Sequence, residues 1–242
     1  ISPYRYVGVN FNSQGNPNLK PSDHYNLDLK WDFNPTPTEL ISLTAFYKLI
    51  KNPISRIEVA SAGGYLSYEN IADKATVAGV EIEIRKNLFV RPVSNAAHGM
   101  NKLSLGLNGS YIYTNAKMPL ATVTTGSQLE GAAPWIVNFD LSHNFTKGER
   151  SFVNTLVLNY VSDKIYTIGT QGYQDIMEQG VLTLDFVSQA KLNKHLSLNL
   201  KARNLLNPSY KLSRKANESG EKVVLSDYKK GINISLGVSC TF

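Results

Sequence analysis

Apolar and polar residues alternate along most of this chain, and this two-residue period constrains the fold more than any other feature. From Gly231 to Phe242, every even-numbered position is apolar and every odd-numbered position is glycine or a small polar residue. Successive side chains of a β-strand point to opposite faces, so the pattern predicts strands with one apolar and one polar face. It predicts nine strands and no helix: His24–Phe33, Ile41–Leu49, Val80–Ile84, Leu103–Tyr113, Trp135–Phe145, Phe152–Tyr160, Leu182–Phe186, Leu196–Arg203 and Gly231–Phe242.

The composition excludes several classes of protein. The 242 residues are 42% hydrophobic and include 13 tyrosines, which is enough apolar and aromatic material to exclude intrinsic disorder. No stretch approaches roughly 18 consecutive apolar residues, so a helical membrane span is not expected. The single cysteine, Cys240, excludes an internal disulfide framework and a cysteine-cluster zinc site. The net charge is +6, but the lysines and arginines are scattered, so nucleic acid is not an expected partner.

The connections between the predicted strands alternate between short and long. Short turns are predicted at Asn34–Glu39, Thr146–Arg150 and Leu192–Lys194, with a somewhat longer one at Arg91–Asn101. Long loops are predicted at Ala60–Ser67, Lys117–Ala133, Gly169–Glu178 and Ser213–Lys222. This alternation is typical of an antiparallel up-and-down sheet whose two ends face different surroundings, as in outer-membrane barrels.

Aromatic residues near the strand ends favour a membrane barrel over a soluble sandwich, in which the apolar face would be the core. Trp135 and Phe145 are ten residues apart, which spans roughly 25 Å at about 3.3 Å per residue and about 40° tilt. A lipid-facing apolar band has this height, with aromatic girdles at both edges. The predicted girdle comprises Trp31, Phe33, Tyr111, Tyr113, Trp135, Phe145, Phe152 and Tyr160. Single-chain bacterial barrels have even strand numbers, so nine strands predict a portion of a larger barrel.

Several segments, in order along the chain, resemble segments of TonB-dependent outer-membrane receptors, most closely those of Bacteroidetes type. Gly15–Pro21 (GNPNLKP) resembles their GNPNLKPE segment, and Leu43–Ile54 (LTAFYKLIKNPI) resembles their SxFYKxIKNPI strand. Further similar segments are Val77–Leu88 (VAGVEIEIRKNL), Leu129–Asn138 (LEGAAPWIVN), Val161–Tyr166 (VSDKIY), Ala202–Pro208 (ARNLLNP) and Tyr228–Gly231 (YKKG).

The resemblance implies a transmembrane barrel of 22 strands with an N-terminal plug domain and a TonB box. Residues 1–242 are then expected to be the C-terminal part of that barrel, about nine strands, without the plug and the N-terminal strands. The implied location is the outer membrane of a Gram-negative cell. The implied partners are outer-membrane lipid and lipopolysaccharide, TonB through the missing N-terminal part, the barrel-assembly machinery and a nutrient ligand, with a surface lipoprotein as a further partner that the resemblance allows.

No catalytic, cofactor or metal site is predicted. The four histidines (His24, His98, His143 and His195) lie on separate strands or turns without metal-ligand spacing. Glu81 and Glu83 could form an acid pair, but they share a face with Arg85, so a solvated ion cluster on the inner wall is the better interpretation. His143 shares the apolar face near the short-turn end, where an interfacial role is expected.

Two further sets of residues follow from the resemblance. Loop tips and the inner wall contact the ligand in such receptors, which makes Tyr65, Tyr68, Gln128, Tyr173 and Gln174 the ligand-contact candidates. Phe242, a terminal aromatic on an alternating last strand, resembles the signal that the barrel-assembly machinery recognises.

Three functional hypotheses follow. The first is an outer-membrane receptor that binds a scarce nutrient (a siderophore complex, cobalamin or a glycan) outside and imports it by TonB-driven plug rearrangement, without enzymatic chemistry. The second is a non-transporting outer-membrane barrel module for assembly or surface binding. The third, a soluble β-sandwich lectin, is disfavoured by the loop asymmetry and the terminal phenylalanine.

Overall fold

The computed structural model describes residues 5–7, 11–59, 65–93, 99–118, 128–216 and 220–241. All regular elements in these ranges are β-strands. They are β1 (Arg5–Val7), β2 (Asn12–Gln14), β3 (Asp23–Phe33), β4 (Leu40–Lys51), β5 (Ile54–Val59), β6 (Tyr65–Asn70), β7 (Lys74–Pro92), β8 (Met100–Ala116), β9 (Trp135–Lys147), β10 (Arg150–Val161), β11 (Lys164–Thr167), β12 (Ile176–Glu178), β13 (Val181–Lys191), β14 (Leu196–Arg203), β15 (Ser209–Lys215), β16 (Lys222–Lys229) and β17 (Asn233–Cys240). The described residues contain no helix that is long and apolar enough to cross a membrane.

Nine strands form one antiparallel sheet in the order β3-β4-β7-β8-β9-β10-β13-β14-β17. Each strand pairs with the next of these nine along the chain, which is the predicted up-and-down arrangement. The nine strands are the nine that the alternation predicted, and the all-β antiparallel fold class is confirmed. Within the described residues the sheet does not close on itself, because β3 and β17 each have one neighbour.

The pairing register keeps the apolar residues of neighbouring strands side by side. Leu141 of β9 lies opposite Leu105 of β8 and Leu156 of β10, and Leu156 lies opposite Phe186 of β13. A slip of one residue would move every side chain of a strand to the other face, so this register gives the sheet one apolar face. No described element covers the apolar face, and large side chains on it are strongly exposed, such as Leu29 at 75%.

The opposite, polar face is joined by side-chain contacts between strands. The carboxamides of Asn108, Asn138 and Asn159 form a hydrogen-bonded series across β8, β9 and β10. Arg85 Nη2 lies 2.6 Å from Glu83 Oε1, which confirms an ion pair within the charged cluster predicted on this face. The polar face thus has the hydrogen-bonding groups expected of a wall that lines a water-filled interior.

The long connections contain more regular structure than the sequence analysis expected. The short turns at 34–39, 148–149 and 192–195 lie at one end of the sheet, as predicted, together with the paired residues Pro92 and Met100, and the long connections lie at the other end. Loops were predicted at Ala60–Ser67, Lys117–Ala133, Gly169–Glu178 and Ser213–Lys222, but β6, β12 and β15 extend into three of these ranges. These strands belong to two small sheets of order β1-β2-β6-β5 and β11-β12-β15-β16. The strands of the long connections are three to eight residues long, and some pair across different connections, as β12 does with β15, so local alternation did not reveal them.

The main hydrophobic core lies in this long-loop layer and at the adjoining ends of the long strands. Ile57 and Ile168 come from two different long connections and are almost fully buried. Ala75 and Ala116, at the long-loop ends of β7 and β8, pack into the same cluster. Burying this apolar surface stabilises the long connections as one folded layer.

Candidate ligand-binding site in the long-loop layer

The two small sheets meet through β5 and β11. Ile57 and Ile168 form a parallel bridge, and the Glu58 N–H donates to the Ile168 carbonyl at 3.1 Å. The Ile168 N–H donates in turn to the Arg56 carbonyl, also at 3.1 Å. These backbone bonds join connections that are more than a hundred residues apart in sequence, so the long-loop layer is a single packed unit.

Arg56 links three of the long connections. Its Nη2 lies 3.0 Å from Glu130 Oε1, and its Nε donates to the Tyr166 carbonyl at 3.0 Å. The guanidinium also lies 3.8 Å from the centroid of the Tyr166 ring, in a cation–π contact. Burial raises the pKa of the Glu130 carboxyl, while the Arg56 backbone N–H and the Arg56 charge oppose that rise.

A second ion pair joins the two small sheets. Arg214 Nη2 of β15 lies 2.5 Å from Glu58 Oε2 of β5, across 156 residues of sequence. Both side chains are largely buried. The Thr170 hydroxyl donates to the Glu58 carbonyl and ties the intervening connection to the same strand. Both ion pairs therefore fix the arrangement of connections that local sequence leaves undetermined.

A cavity of about 430 Å³ opens beside this second pair. Arg214, Lys215 and Lys222 line it on one side, and Met177 gives it an apolar wall. Asp163 and Asp175 also line it, but each accepts a backbone N–H, from Gly180 and from Gly169. Arg214 Nε is buried without a hydrogen-bond partner among the described residues. Because Arg214 is paired with Glu58, the charges of Lys215 and Lys222 in this lining are matched by those of Asp163 and Asp175.

The structure brings together some of the predicted ligand contacts and separates others. Gln174 lines the cavity, and the neighbouring Tyr173 is exposed, with the Arg214 guanidinium 5.5 Å from its ring centroid. Tyr65 and Tyr68 lie half-buried on β6, in the other small sheet. Gln128 is an exposed residue next to the buried Leu129. Tyr173 and Gln174 therefore share one site, and the other three candidates lie outside it.

The predicted girdle residues lie at the two ends of the apolar face. Tyr111, Tyr113, Trp135 and Tyr160 stand towards the long-loop end, and Trp31, Phe33, Phe145 and Phe152 towards the short-turn end. Rings meet across strands at both ends: Tyr111 and Trp135 have centroids 4.6 Å apart, and Phe145 and Phe152 6.4 Å apart. Trp135 and Phe145 thus lie towards opposite ends of β9.

Some predicted residues cannot be placed. Phe242 and His98 lie outside the described residues. His24, His143 and His195 lie on three separate strands or turns, and the described part of the chain contains no group of three or more potential metal ligands.

The polar face holds a second cavity, of about 510 Å³, near the long-loop end of β3, β4 and β7. Asp28, Lys48 and Glu81 contribute charged groups to its lining, and Phe46 and Ile112 contribute apolar surface. This cavity lies on the wall below the long-loop layer.

Sequence reasoning did not identify Arg56, Glu58, Glu130 and Arg214 as functional. Their partners are 74 to 156 residues away, and no local period marks them.

Comparison with known proteins agrees with the architecture. A family model described as TonB dependent receptor-like, beta-barrel matches residues 2–205. No curated protein and no solved structure was found to match. The matched range includes eight of the nine strands of the large sheet and most of the long-loop layer. The chain belongs to the TonB-dependent receptor-like β-barrel family, whose members are outer-membrane receptors and transporters.

Proposed function

We propose that this chain forms part of the barrel wall and the outer ligand-binding layer of a nutrient receptor in the outer membrane. Ligand binds at the long-loop end, which faces the outside, and passes inward along the polar face. A plug domain, moved by TonB, opens the path. TonB acts on the plug and the segment that precedes it, and the barrel strands have no direct contact with TonB in this proposal.

The observation that best supports this function is the folded long-loop layer on a sheet with two opposite faces. The apolar face suits lipid and the polar face suits a water-filled interior. The long-loop layer has its own core and two buried ion pairs, and it holds a cavity in the size range of small-molecule sites. Because the layer is folded before the ligand arrives, its binding groups are already fixed in place. Fewer side chains and loops then lose conformational entropy when the ligand binds.

The open sheet supports a larger assembly around it. β3 is exposed at all eleven positions and β17 at all eight, and each strand has one unpaired edge among the described residues. A bare edge strand in lipid would leave backbone groups without hydrogen-bond partners. We infer that further strands pair with β3 and β17 and complete the barrel.

The two lysines of the cavity favour a ligand that carries an anionic or acceptor group, and its two aspartates favour donor groups on the same ligand. Lys215 and Lys222 lie opposite each other on β15 and β16, and neither forms an ion pair with a described residue. They form the donor side of the site, because the guanidinium of Arg214 is paired with Glu58 and its Nε is buried. Among siderophores, cobalamin and glycans, an anionic ferric siderophore and an acidic glycan fit this chemistry better than a neutral glycan does.

The test measures ligand binding by the purified receptor in detergent, with a ferric catecholate siderophore, cobalamin and an acidic oligosaccharide as probes. The receptor with Lys215→Gln and Lys222→Gln is compared with a control that has Lys191→Gln and Lys194→Gln at the short-turn end. We expect one anionic probe to bind, and the cavity variant to bind it at least tenfold more weakly than the control, given about 1 kcal/mol or more per charged contact.

Uptake in cells with and without TonB completes the test. Binding together with TonB-dependent uptake supports the receptor function. If no probe binds and cells without TonB take up every probe as fast as cells that have it, the alternative of a non-transporting barrel module is favoured.

A further inference from the structure

The hairpin of β9 and β10 presents an ordered series of side chains on the apolar face of the sheet. Its tight turn includes Gly148, whose φ of 59° suits a two-residue hairpin connection. From the turn towards the middle of the sheet, the opposing pairs on this face are Lys147 with Arg150, Phe145 with Phe152, His143 with Asn154 and Leu141 with Leu156. The surface thus changes from cationic to aromatic, then to polar, then to aliphatic, within about 20 Å of strand.

The cationic pair lacks a counter-charge from the protein strands around it. Lys147 and Arg150 are exposed, and neither forms an ion pair with a described residue. Glu149 lies between them in the turn, so the cations outnumber the acid. A lysine and an arginine side by side are suited to hold a phosphate group.

The polar pair is unusual because apolar pairs lie on both sides of it. Ser188 Oγ donates to Asn154 Oδ1 at 2.7 Å, and His143 Nε2 lies 2.8 Å from Asn101 Oδ1. The carboxamide nitrogen of Asn154 has no partner among the described residues. A donor placed in an apolar surface favours a neighbour that supplies an acceptor.

A diacyl phospholipid has its chemical groups in the same order: an anionic phosphate, a glycerol, two ester carbonyls and two acyl chains. We propose that this face of the β9–β10 hairpin is a binding site for an anionic phospholipid. Lys147 and Arg150 hold the phosphate, Asn154 donates to an ester carbonyl, and Leu141 and Leu156 contact the acyl chains. The inference rests on the membrane barrel of the proposed function, which places this site in the leaflet at the short-turn end.

Titration of the receptor with phosphatidylglycerol, followed by native mass spectrometry in a neutral detergent, tests the site, with phosphatidylcholine as the reference lipid. The variant has Lys147→Gln and Arg150→Gln. Its control has Lys102→Gln and Lys191→Gln, which remove two cations from the polar face at the same end of the sheet, opposite Asn144 and Ser151.

We expect the variant to bind phosphatidylglycerol roughly 30-fold more weakly than the unmodified receptor, since each cation near a lipid surface contributes about a fivefold effect. The control should retain its affinity. Asn154→Leu, which keeps both cations, should weaken binding of both lipids, because both have ester carbonyls. Equal losses in the variant and the control, or equal affinity of the unmodified receptor for the two lipids, would overturn the proposal.

The nutrient-binding test and this test have separate readouts. If the receptor binds no nutrient probe but selects phosphatidylglycerol through Lys147 and Arg150, the lipid site is supported and the proposed nutrient ligand is wrong. A receptor that binds a nutrient but does not discriminate between the lipids overturns the lipid site alone.

Discussion

The guanidinium of Arg56 and the carboxylate of Glu130 lie 3.0 Å apart, although 74 residues separate them in the chain. The pair is only about one-fifth exposed, and Arg56 also covers the Tyr166 ring. One side chain therefore contacts three long connections at once. This contact joins segments that the local preferences of the short strands do not bring together.

Arg56→Gln is expected to loosen the long-loop layer and leave the nine-stranded sheet intact. The substitution leaves the Glu130 carboxylate partly buried without its counter-charge and removes the contact with the Tyr166 ring. Because the pair is partly exposed, the cost should be about 1–3 kcal/mol, below that of a fully buried pair. Hydrogen exchange should accelerate in β5 and β11 and stay unchanged in β9 and β10.

Lys30→Gln serves as the control for that experiment, because its ion pair with Asp32 is exposed. Exposed ion pairs contribute little to stability, so this variant should leave the rate of hydrogen exchange in β5 and β11 unchanged. Equal acceleration in the two variants, or acceleration throughout the sheet in Arg56→Gln, would contradict a local role for Arg56.

Glu130 predicts a pH dependence of the long-loop layer. Burial raises its pKa in the folded protein, so the folded state binds a proton more tightly than the unfolded state. Stability from this group is then greatest below the unfolded value, about 4.3, and decreases as the pH rises through the raised value. The free energy of unfolding of the unmodified receptor, minus that of the Glu130→Gln variant, should therefore decrease as the pH rises over this range. A difference that grows with pH would show that the Arg56 charge outweighs burial.

Gly79 and Gly109 predict opposite outcomes for the same substitution. A methyl group at Gly79 would overlap the Phe46 ring and the Tyr111 carbonyl, whereas at Gly109 the nearest atom, Ile82 Cγ2, would be 3.8 Å away. Gly79→Ala should cost about 1–3 kcal/mol, typical of overpacking. Gly109→Ala should be neutral or slightly stabilising, because alanine reduces the freedom of the unfolded chain. Urea unfolding in lipid vesicles measures both, and a Gly79→Ala variant as stable as Gly109→Ala would contradict the predicted overlap with the Phe46 ring and the Tyr111 carbonyl.

The sequence was sufficient to predict the nine long strands and their two faces, because the alternation of apolar and polar residues can be read within each strand alone. Leu141 is apolar and its neighbours Asp140 and Ser142 are polar, because the two faces of the sheet have different surroundings at each position. The pairing order followed from short turns such as that at Gly148, which leave few alternatives. These features depend on residues close together in the chain.

The long-loop layer could not be predicted in the same way. The pairing of β12 with β15 and the contact of Arg214 with Glu58 join segments that no local period relates. The strands there are too short for alternation to be distinguished from chance. Tyr173 and Gln174 were predicted as ligand contacts, but the cations that complete their cavity, Arg214 and Lys222, became apparent only when the chain was folded.

Leu156 and Val157 give the sharpest test of the two faces. Leu156 lies on the apolar face, four residues from each of the aromatic residues Phe152 and Tyr160, and is therefore near the middle of the lipid-facing band. Leu156→Arg should cost about 2–4 kcal/mol of unfolding free energy in a bilayer, as expected for a charge near the midplane. Val157 lies on the polar face between Asp140 and Asp185 in the register, so Val157→Arg places a cation between two carboxylates. Its cost should be well below that of Leu156→Arg when both are refolded into the same lipid vesicles. If the two substitutions cost the same, or if Val157→Arg costs more, the face that we assign to lipid is the inner one or the sheet does not lie in a membrane.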